Sequence, residues 1–184
     1  MNGALQQGPA DGESTAAPLV VCLRDLSPLA MQALHACLAG YGLEVVTVAE
    51  GEPLTGSHFG EPEAGLVADR LYVRGDTPVH SALHEACHFV CMDPVRRGAL
   101  HTDAGGDYDE ENAVCYLSIL LANAIPGFGS KRMMRDMDRW GYTFRLGSAR
   151  AWFSRDADDA QAWLRGHGIV AGDDTVVPGV LRSA

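Results

Sequence analysis

The chain has 184 residues, of which 47% are hydrophobic and 21% are charged. This length and balance favour one compact domain with a sizeable core, and they exclude a wholly disordered or fibrous chain. The formal net charge of -10 repels the phosphates of nucleic acids and of anionic membranes. We therefore expect neither nucleic acid nor a membrane among the partners.

The N-terminal segment, residues 1–18, is polar and interrupted by glycine and proline, and it lacks the basic and apolar regions of a secretory signal. It has too little apolar surface to offset the entropy of ordering, so we expect a flexible tail before a single domain over residues 19–184. No apolar run approaches the about 18 residues of a membrane helix. The five cysteines, an odd number in mostly apolar runs, favour free thiols and a cytoplasmic location.

Strand patterns dominate the first part of the domain. Residues 19–23 and 43–48 are predicted strands on either side of a helix that begins at Ser27-Pro28 and ends at Gly40. Such a unit favours a right-handed crossover, which would make the two strands parallel neighbours. Residues 66–74 indicate a third strand near the sheet edge, where an extended substrate can bind by strand addition.

Helical patterns dominate the rest of the chain, so the sequence predicts an α+β fold. A helix is expected from about Pro78 to Met92, where Asp93-Pro94 ends it, and a polar, glycine-rich loop follows. Acidic residues at its start favour a second helix from Asp109 to about Ile125. The remaining predicted elements are a helix over 130–140, a short strand over 142–146 and a helix over 156–165.

The helix over residues 78–92 contains an HExxH motif, His84-Glu85-Ala86-Cys87-His88. Residues four apart lie one turn apart on nearly the same face, so both imidazoles can converge on one metal ion with Glu85 beside them. A catalytic zinc site needs a third protein ligand and an open position for water, whose pKa the metal lowers. His80 is not expected to bind the same ion, because it lies about 6 Å further along the helix axis.

This motif, with a second helix that opens with Glu110-Glu111-Asn112, resembles the zincin metallopeptidases and, among them, the gluzincins. The resemblance implies that His84 and His88 bind Zn²⁺ and that Glu85 is the general base that polarises the zinc-bound water. It covers roughly residues 78–122. It implies a minimal zincin-like architecture, in which a small mixed sheet packs on an active-site helix and a glutamate helix, with further C-terminal helices.

The resemblance also implies that a glutamate of the second helix completes the metal site. Glu111 is favoured, because the succeeding Asn112 resembles a Glu-Asn pairing in some gluzincins. Helical periodicity does not separate neighbouring positions cleanly, so Glu110 is a serious rival and Asp107 a lesser one. The metzincin pattern is absent, because the next histidine, His101, follows too late.

A hydrolase also needs a donor that stabilises the developing oxyanion. His101, Tyr108 and Tyr142 are the candidates, since each lies in or beside a loop that can fold over the site.

Two functions fit these residues. The first is a zinc-dependent hydrolase, a small intracellular metallopeptidase that acts on peptides or proteins; a non-peptide amide as substrate is not separable from it by sequence. The alternative is a catalytically inactive zincin-like module that binds a partner protein and has a structural metal or none. Glu85 separates the two, because hydrolysis needs it and a structural metal does not. The sequence leaves the substrate and the oligomeric state open.

Overall fold

The computed structural model describes residues 20–183. This range forms an α+β fold of seven α-helices and a three-stranded mixed sheet, in agreement with the predicted class. The predicted tail, residues 1–18, lies outside it. The helices are α1 (Pro28–Ala39), α2 (Val79–Cys91), α3 (Pro94–Gly98), α4 (Tyr108–Leu121), α5 (Gly129–Trp140), α6 (Ala149–Arg155) and α7 (Asp158–Gly166). The strands are β1 (Glu44–Thr47), β2 (Gly65–Val67) and β3 (Arg70–Val73).

The sheet has the order β1-β3-β2, with β1 parallel and β2 antiparallel to β3. The prediction of one strand over residues 66–74 is wrong, because the chain reverses at Ala68, whose φ is +51°. The segment forms a hairpin instead, and its second strand lies in the centre of the sheet. The outer edge of β2 is also covered, since Leu66 N–H donates to Gly56 O (3.1 Å) and Leu66 O accepts from Thr102 N–H (3.0 Å). Strand addition at Leu66 is therefore blocked.

The predicted strand over residues 19–23 is also wrong for the residues that the structure describes. Leu23 begins a short 3-10 helix, and its N–H donates to Thr77 O (2.9 Å). Val79 N–H donates in turn to Val21 O (3.0 Å). This segment thus pairs with the start of α2, and the parallel neighbour of β1 is β3. A short β-rich run satisfies its backbone groups wherever partners are available, so its pattern alone does not select the sheet.

Most of the helix predictions are confirmed. Ser27 caps α1 by accepting a hydrogen bond from Ala30 N–H (3.2 Å), and α1 ends before Gly40. The bounds of α2, α4 and α5 agree with prediction to within about a turn, and α7 begins two residues later than predicted. The sequence reading missed α3 and α6. Asp93 both follows the end of α2 and caps α3, since its carboxylate accepts from Val95 N–H (2.9 Å).

The predicted strand over residues 142–146 is wrong. This segment ends in a 3-10 turn over Arg145–Gly147, in which Leu146 has a φ of +66°. The aromatic rings of Tyr142 and Phe144 are buried in the core, and Phe144 stacks on Trp152 of α6 with ring centroids 5.1 Å apart. The aromatic residues of this segment therefore pack onto helices and not into a sheet.

The core surrounds α2, all of whose residues are buried. This helix packs against α4 on one side and contacts β2 and β3 on another, while α7 packs against α4. A helix buried on all faces is normally apolar all round, yet α2 carries three histidines and a glutamate. Such groups are costly to bury without partners, so their contacts indicate what the helix does. Among residues 20–183, none of the helices combines the length and apolarity needed to cross a membrane.

Candidate metal centre

Three predicted ligand side chains converge between α2 and α4. The Nε2 atoms of His84 and His88 are 3.1 Å apart. The carboxylate of Glu111 reaches both rings, with Oε1 3.3 Å from Nε2 of His84 and Oε2 3.4 Å from Nε2 of His88. One helical turn separates the two histidines, and the α2–α4 packing brings the glutamate to them from the facing helix.

The size of this triangle can be compared with that of a zinc site. Zinc binds histidine nitrogen and carboxylate oxygen at about 2.0–2.1 Å in tetrahedral geometry, so neighbouring ligand atoms are about 3.3–3.4 Å apart. The measured separations of 3.1, 3.3 and 3.4 Å are close to this value. The donor set of two imidazoles and one carboxylate is also one that zinc uses in hydrolytic sites, where a fourth position remains for water or substrate.

The three groups are strongly coupled electrostatically. Burial acts to raise the pKa of Glu111, but the charges of His84 and His88 outweigh it and lower the pKa to about 2. Burial acts to lower the pKa of His84, and the Glu111 carboxylate reverses this, so the pKa lies above its ordinary value. For His88, burial prevails and the pKa falls to about 4. The carboxylate is thus ionised and attracts positive charge to this point.

Glu85 lies beside the three ligand candidates, and its carboxylate is within 4.8 Å of ligand atoms of both His84 and His88. Its side chain is only 4% exposed, and it has no hydrogen-bond partner within the described part of the chain. Burial raises the pKa of Glu85 to about 8; the positive charge of His84 opposes this, and the carboxylates of Glu63 and Glu111 add to it. A carboxylate with a pKa near neutrality can both accept and donate a proton at physiological pH.

A cavity of about 370 Å³ opens onto this cluster, with Glu85, His88 and Glu111 in its lining. One part of its wall is the loop over residues 102–108, and another is formed by His58 and Phe59. The lining residues include further acids but neither lysine nor arginine. The volume lies within the range of small-molecule sites, so the cavity can admit a short substrate segment next to Glu85.

The two rival candidates for the third ligand, Glu110 and Asp107, have other partners than the histidines. Glu110 is buried and pairs with Arg96 and, at 2.9 Å, with Arg182. Asp107 caps α4, since its Oδ1 accepts from Glu110 N–H (2.9 Å), although it also lines the cavity. The geometry therefore brings Glu111, rather than either rival, to the histidines.

The three oxyanion candidates differ in position. Tyr108 lines the cavity, is 39% exposed, and accepts a hydrogen bond at its hydroxyl from Arg145 (3.1 Å). His101 is exposed, hydrogen bonds through Nδ1 to Thr102 (2.9 Å), and is not among the cavity-lining residues. Tyr142 is buried behind His84, with ring centroids 5.5 Å apart. Only Tyr108 thus faces the cavity.

His80 is separate from the cluster, as expected of a residue that is not a ligand. Its ring is fully buried, and neither nitrogen has a hydrogen-bond partner in residues 20–183. It packs against Trp140 and Tyr142, with ring centroids 5.2 and 5.6 Å away. The Tyr142 hydroxyl is likewise buried without a partner in this range. Burial lowers the pKa of His80 and raises that of Tyr142, so both polar groups behind the cluster stay neutral.

Sequence reasoning missed His58, Cys115 and Glu63. His58 and Phe59 lie in a loop without periodicity, so nothing in the pattern connects them with the cavity. Cys115 Sγ is 3.9 Å from both His84 Nδ1 and Glu111 Oε1, and burial raises the pKa of this thiol to about 11. The position of Cys115, four residues after Glu111 on one helix, was a sign that could have been used. Glu63 is buried and accepts a hydrogen bond from the Trp140 indole (2.6 Å).

Comparisons of the chain with protein-family models, with curated proteins and with solved structures gave no significant match. The resemblance to zincins therefore stays a prediction from the motif residues.

Proposed function

We propose that the protein is a zinc-dependent hydrolase, a small zincin-like metallopeptidase. The observation that supports this is the meeting of the His84, His88 and Glu111 side chains, at zinc-site spacing, beside a cavity that also contains the unpaired Glu85 carboxylate. When bound, Zn²⁺ would polarise a substrate carbonyl and lower the pKa of water.

In this proposal His84, His88 and Glu111 hold the metal. Glu85 accepts a proton from the attacking water and later donates it to the leaving nitrogen of the cleaved amide bond. Its burial suits this task, because the raised pKa of about 8 makes the Glu85 carboxylate a stronger proton acceptor than an ordinary glutamate, and it is not held by a competing ion pair. Tyr108 is the cavity-facing candidate for the donor to the oxyanion.

The competing function is an inactive zincin-like module that binds a partner protein. The covered edge of β2 favours it to some extent, because the strand expected to bind an extended peptide is already hydrogen bonded at Leu66. The burial of Glu85 opposes it, because a structural metal site has no need of an unpaired carboxylate whose ionisation is unfavourable.

The decisive experiment combines metal analysis with activity. Zinc should bind at one equivalent to the purified wild-type protein and to the Glu85→Gln variant, measured by elemental analysis after dialysis. Cleavage of a mixture of internally quenched peptides should be seen with the wild type and be lost in Glu85→Gln. Full activity of Glu85→Gln, or a wild-type protein that takes up no zinc, would refute the proposal. Zinc binding without cleavage of any peptide or amide would favour the inactive module.

A further inference from the structure

Cys115 contacts two of the three candidate ligands from one position. It lies on α4 one turn after Glu111, and its thiol is fully buried. Its Sγ atom is 3.9 Å from His84 Nδ1 and 3.9 Å from Glu111 Oε1. Both distances are within the range of hydrogen bonds to sulfur, which are longer and weaker than those to oxygen.

The orientation of the His84 ring determines what this contact does. Nε2 faces His88 and Glu111, so metal binding requires the lone pair on Nε2 and the proton on Nδ1. The Nδ1–H group then donates to Cys115 Sγ, and the thiol S–H donates to Glu111 Oε1. His88 differs, because its Nδ1 is buried and has no partner in residues 20–183.

We infer that Cys115 is a positioning residue for the metal centre: it holds His84 in the tautomer that binds metal and aligns Glu111 with it. This inference rests on the zinc site of the proposed function. Ligand histidines usually donate their second N–H to a carboxylate or a carbonyl, and here a thiol takes that place. Cys115, His84 and Glu111 also lie within metal-ligand spacing of one another. We assign Cys115 as a positioning residue and not a ligand, because its sulfur faces Nδ1 of His84 and not the Nε2 atoms that meet Glu111.

The first test is zinc affinity, measured by competition with a chromophoric chelator. Loss of an outer hydrogen-bond partner typically weakens metal binding about 10- to 100-fold, and because sulfur is a weak partner we expect about tenfold for Cys115→Ala. Cys87→Ala is the matched control. It removes another fully buried thiol, from α2, for which no hydrogen bond to a ligand atom is found among residues 20–183, and should leave the affinity unchanged. Urea unfolding of the metal-free variants shows whether they fold.

A second test does not depend on the folding of the alanine variant. In the zinc-loaded protein labelled with ¹⁵N-histidine, the Nδ1–H resonance of His84 should move in Cys115→Ser, while that of His88 stays in place. With Co²⁺ in place of zinc, the wild-type spectrum should lack a thiolate-to-cobalt charge-transfer band.

The outcomes separate this inference from the proposed function. If a folded Cys115→Ala variant binds zinc as tightly as the wild type does, the positioning role alone is overturned. A Co²⁺ charge-transfer band that disappears in Cys115→Ser would have the same consequence, because it would make Cys115 a direct ligand. A His84 Nδ1–H resonance that does not move in Cys115→Ser would also overturn the positioning role alone. A wild type without zinc binding would overturn both proposals.

Discussion

Glu110 and Glu111 are adjacent on α4, yet their carboxylates contact different groups. Glu111 meets the two histidines of α2 at 3.3 and 3.4 Å, whereas Glu110 is enclosed by arginines, with Arg182 at 2.9 Å. Successive helical residues are about 100° apart, so the same turn of α4 directs Glu110 into a structural ion-pair network and Glu111 to the candidate metal centre.

This difference predicts opposite effects for two matched substitutions. Glu111→Gln should lower zinc affinity by at least about 100-fold, since the neutral amide is a poor zinc ligand, with little loss of stability when both proteins are compared free of metal. Glu110→Gln should leave zinc binding unchanged but lower the free energy of unfolding by about 2–3 kcal/mol, because two arginines lose their buried partner. Chelator competition and urea unfolding of both variants check this. Loss of zinc in Glu110→Gln alone would assign the ligand to Glu110.

The sequence predicted α2 and α4 well because both have long apolar patterns and clear ends. It did not separate Glu110 from Glu111 on geometric grounds. Helical periodicity does not distinguish the two neighbours, and it gave no sign that Glu110 would be buried against arginines instead of facing the histidines. The choice of Glu111 came from the resemblance to gluzincins, and its role as a ligand stays a prediction that the geometry supports.

The sheet was predicted less well, for a physical reason. A strand makes its ladder hydrogen bonds with other segments, which can be distant in sequence, so a short β-rich run does not say which partner it takes. Residues 21–23 pair near the start of α2, and Ala68 turns one predicted strand into a hairpin. The wall formed by His58 and Phe59 was unpredictable in the same way, because loops leave no periodic pattern.

Removal of the metal should destabilise the protein. A ligand that binds only the folded state stabilises it by RT ln(1 + [L]/Kd), or about 4 kcal/mol at a free concentration a thousand times Kd. We therefore expect the free energy of unfolding to fall by several kcal/mol when zinc is replaced by EDTA, measured by urea titration of the same preparation. Glu111→Gln is the control and should be much less affected. Equal stability with and without zinc in the wild type would contradict the site.

The acidic lining of the cavity should influence substrate choice. Asp103 and Asp107 line it and each uses one oxygen to accept a backbone hydrogen bond, from Gly105 (2.8 Å) and Glu110 (2.9 Å) respectively. Asparagine keeps this acceptor and removes the charge. In 10 mM salt, the double variant should lose about two- to fivefold in kcat/KM on peptides with lysine or arginine near the cleaved bond and little on neutral ones, and the difference should shrink at high ionic strength. An equal loss on both classes would indicate damage to the loop instead.

His80 should make the fold sensitive to acid. Burial, and to a lesser extent the charge of His84, lower the pKa of His80 to about 3, whereas an unfolded histidine titrates near 6.5. The unfolded chain therefore binds more protons between these values, and stability is lost as the pH falls below about 6.5. From pH 7 to pH 5 this amounts to about 2 kcal/mol. Urea unfolding in EDTA excludes an effect of metal release. Under these conditions the free energy of unfolding of His80→Phe should fall by correspondingly less between pH 7 and pH 5, because phenylalanine does not titrate and can retain the packing on Trp140 and Tyr142.

Val79→Ala is the control for a change of packing in the same helix. Val79 is fully buried and does not titrate, so this variant should be less stable than the wild type by a similar amount at pH 7 and pH 5. If His80→Phe loses as much stability between these pH values as the wild type does, His80 is not held neutral in the fold. The acid sensitivity would then have to arise at the His84 and His88 cluster, where the same titration of Glu111→Gln would reveal it.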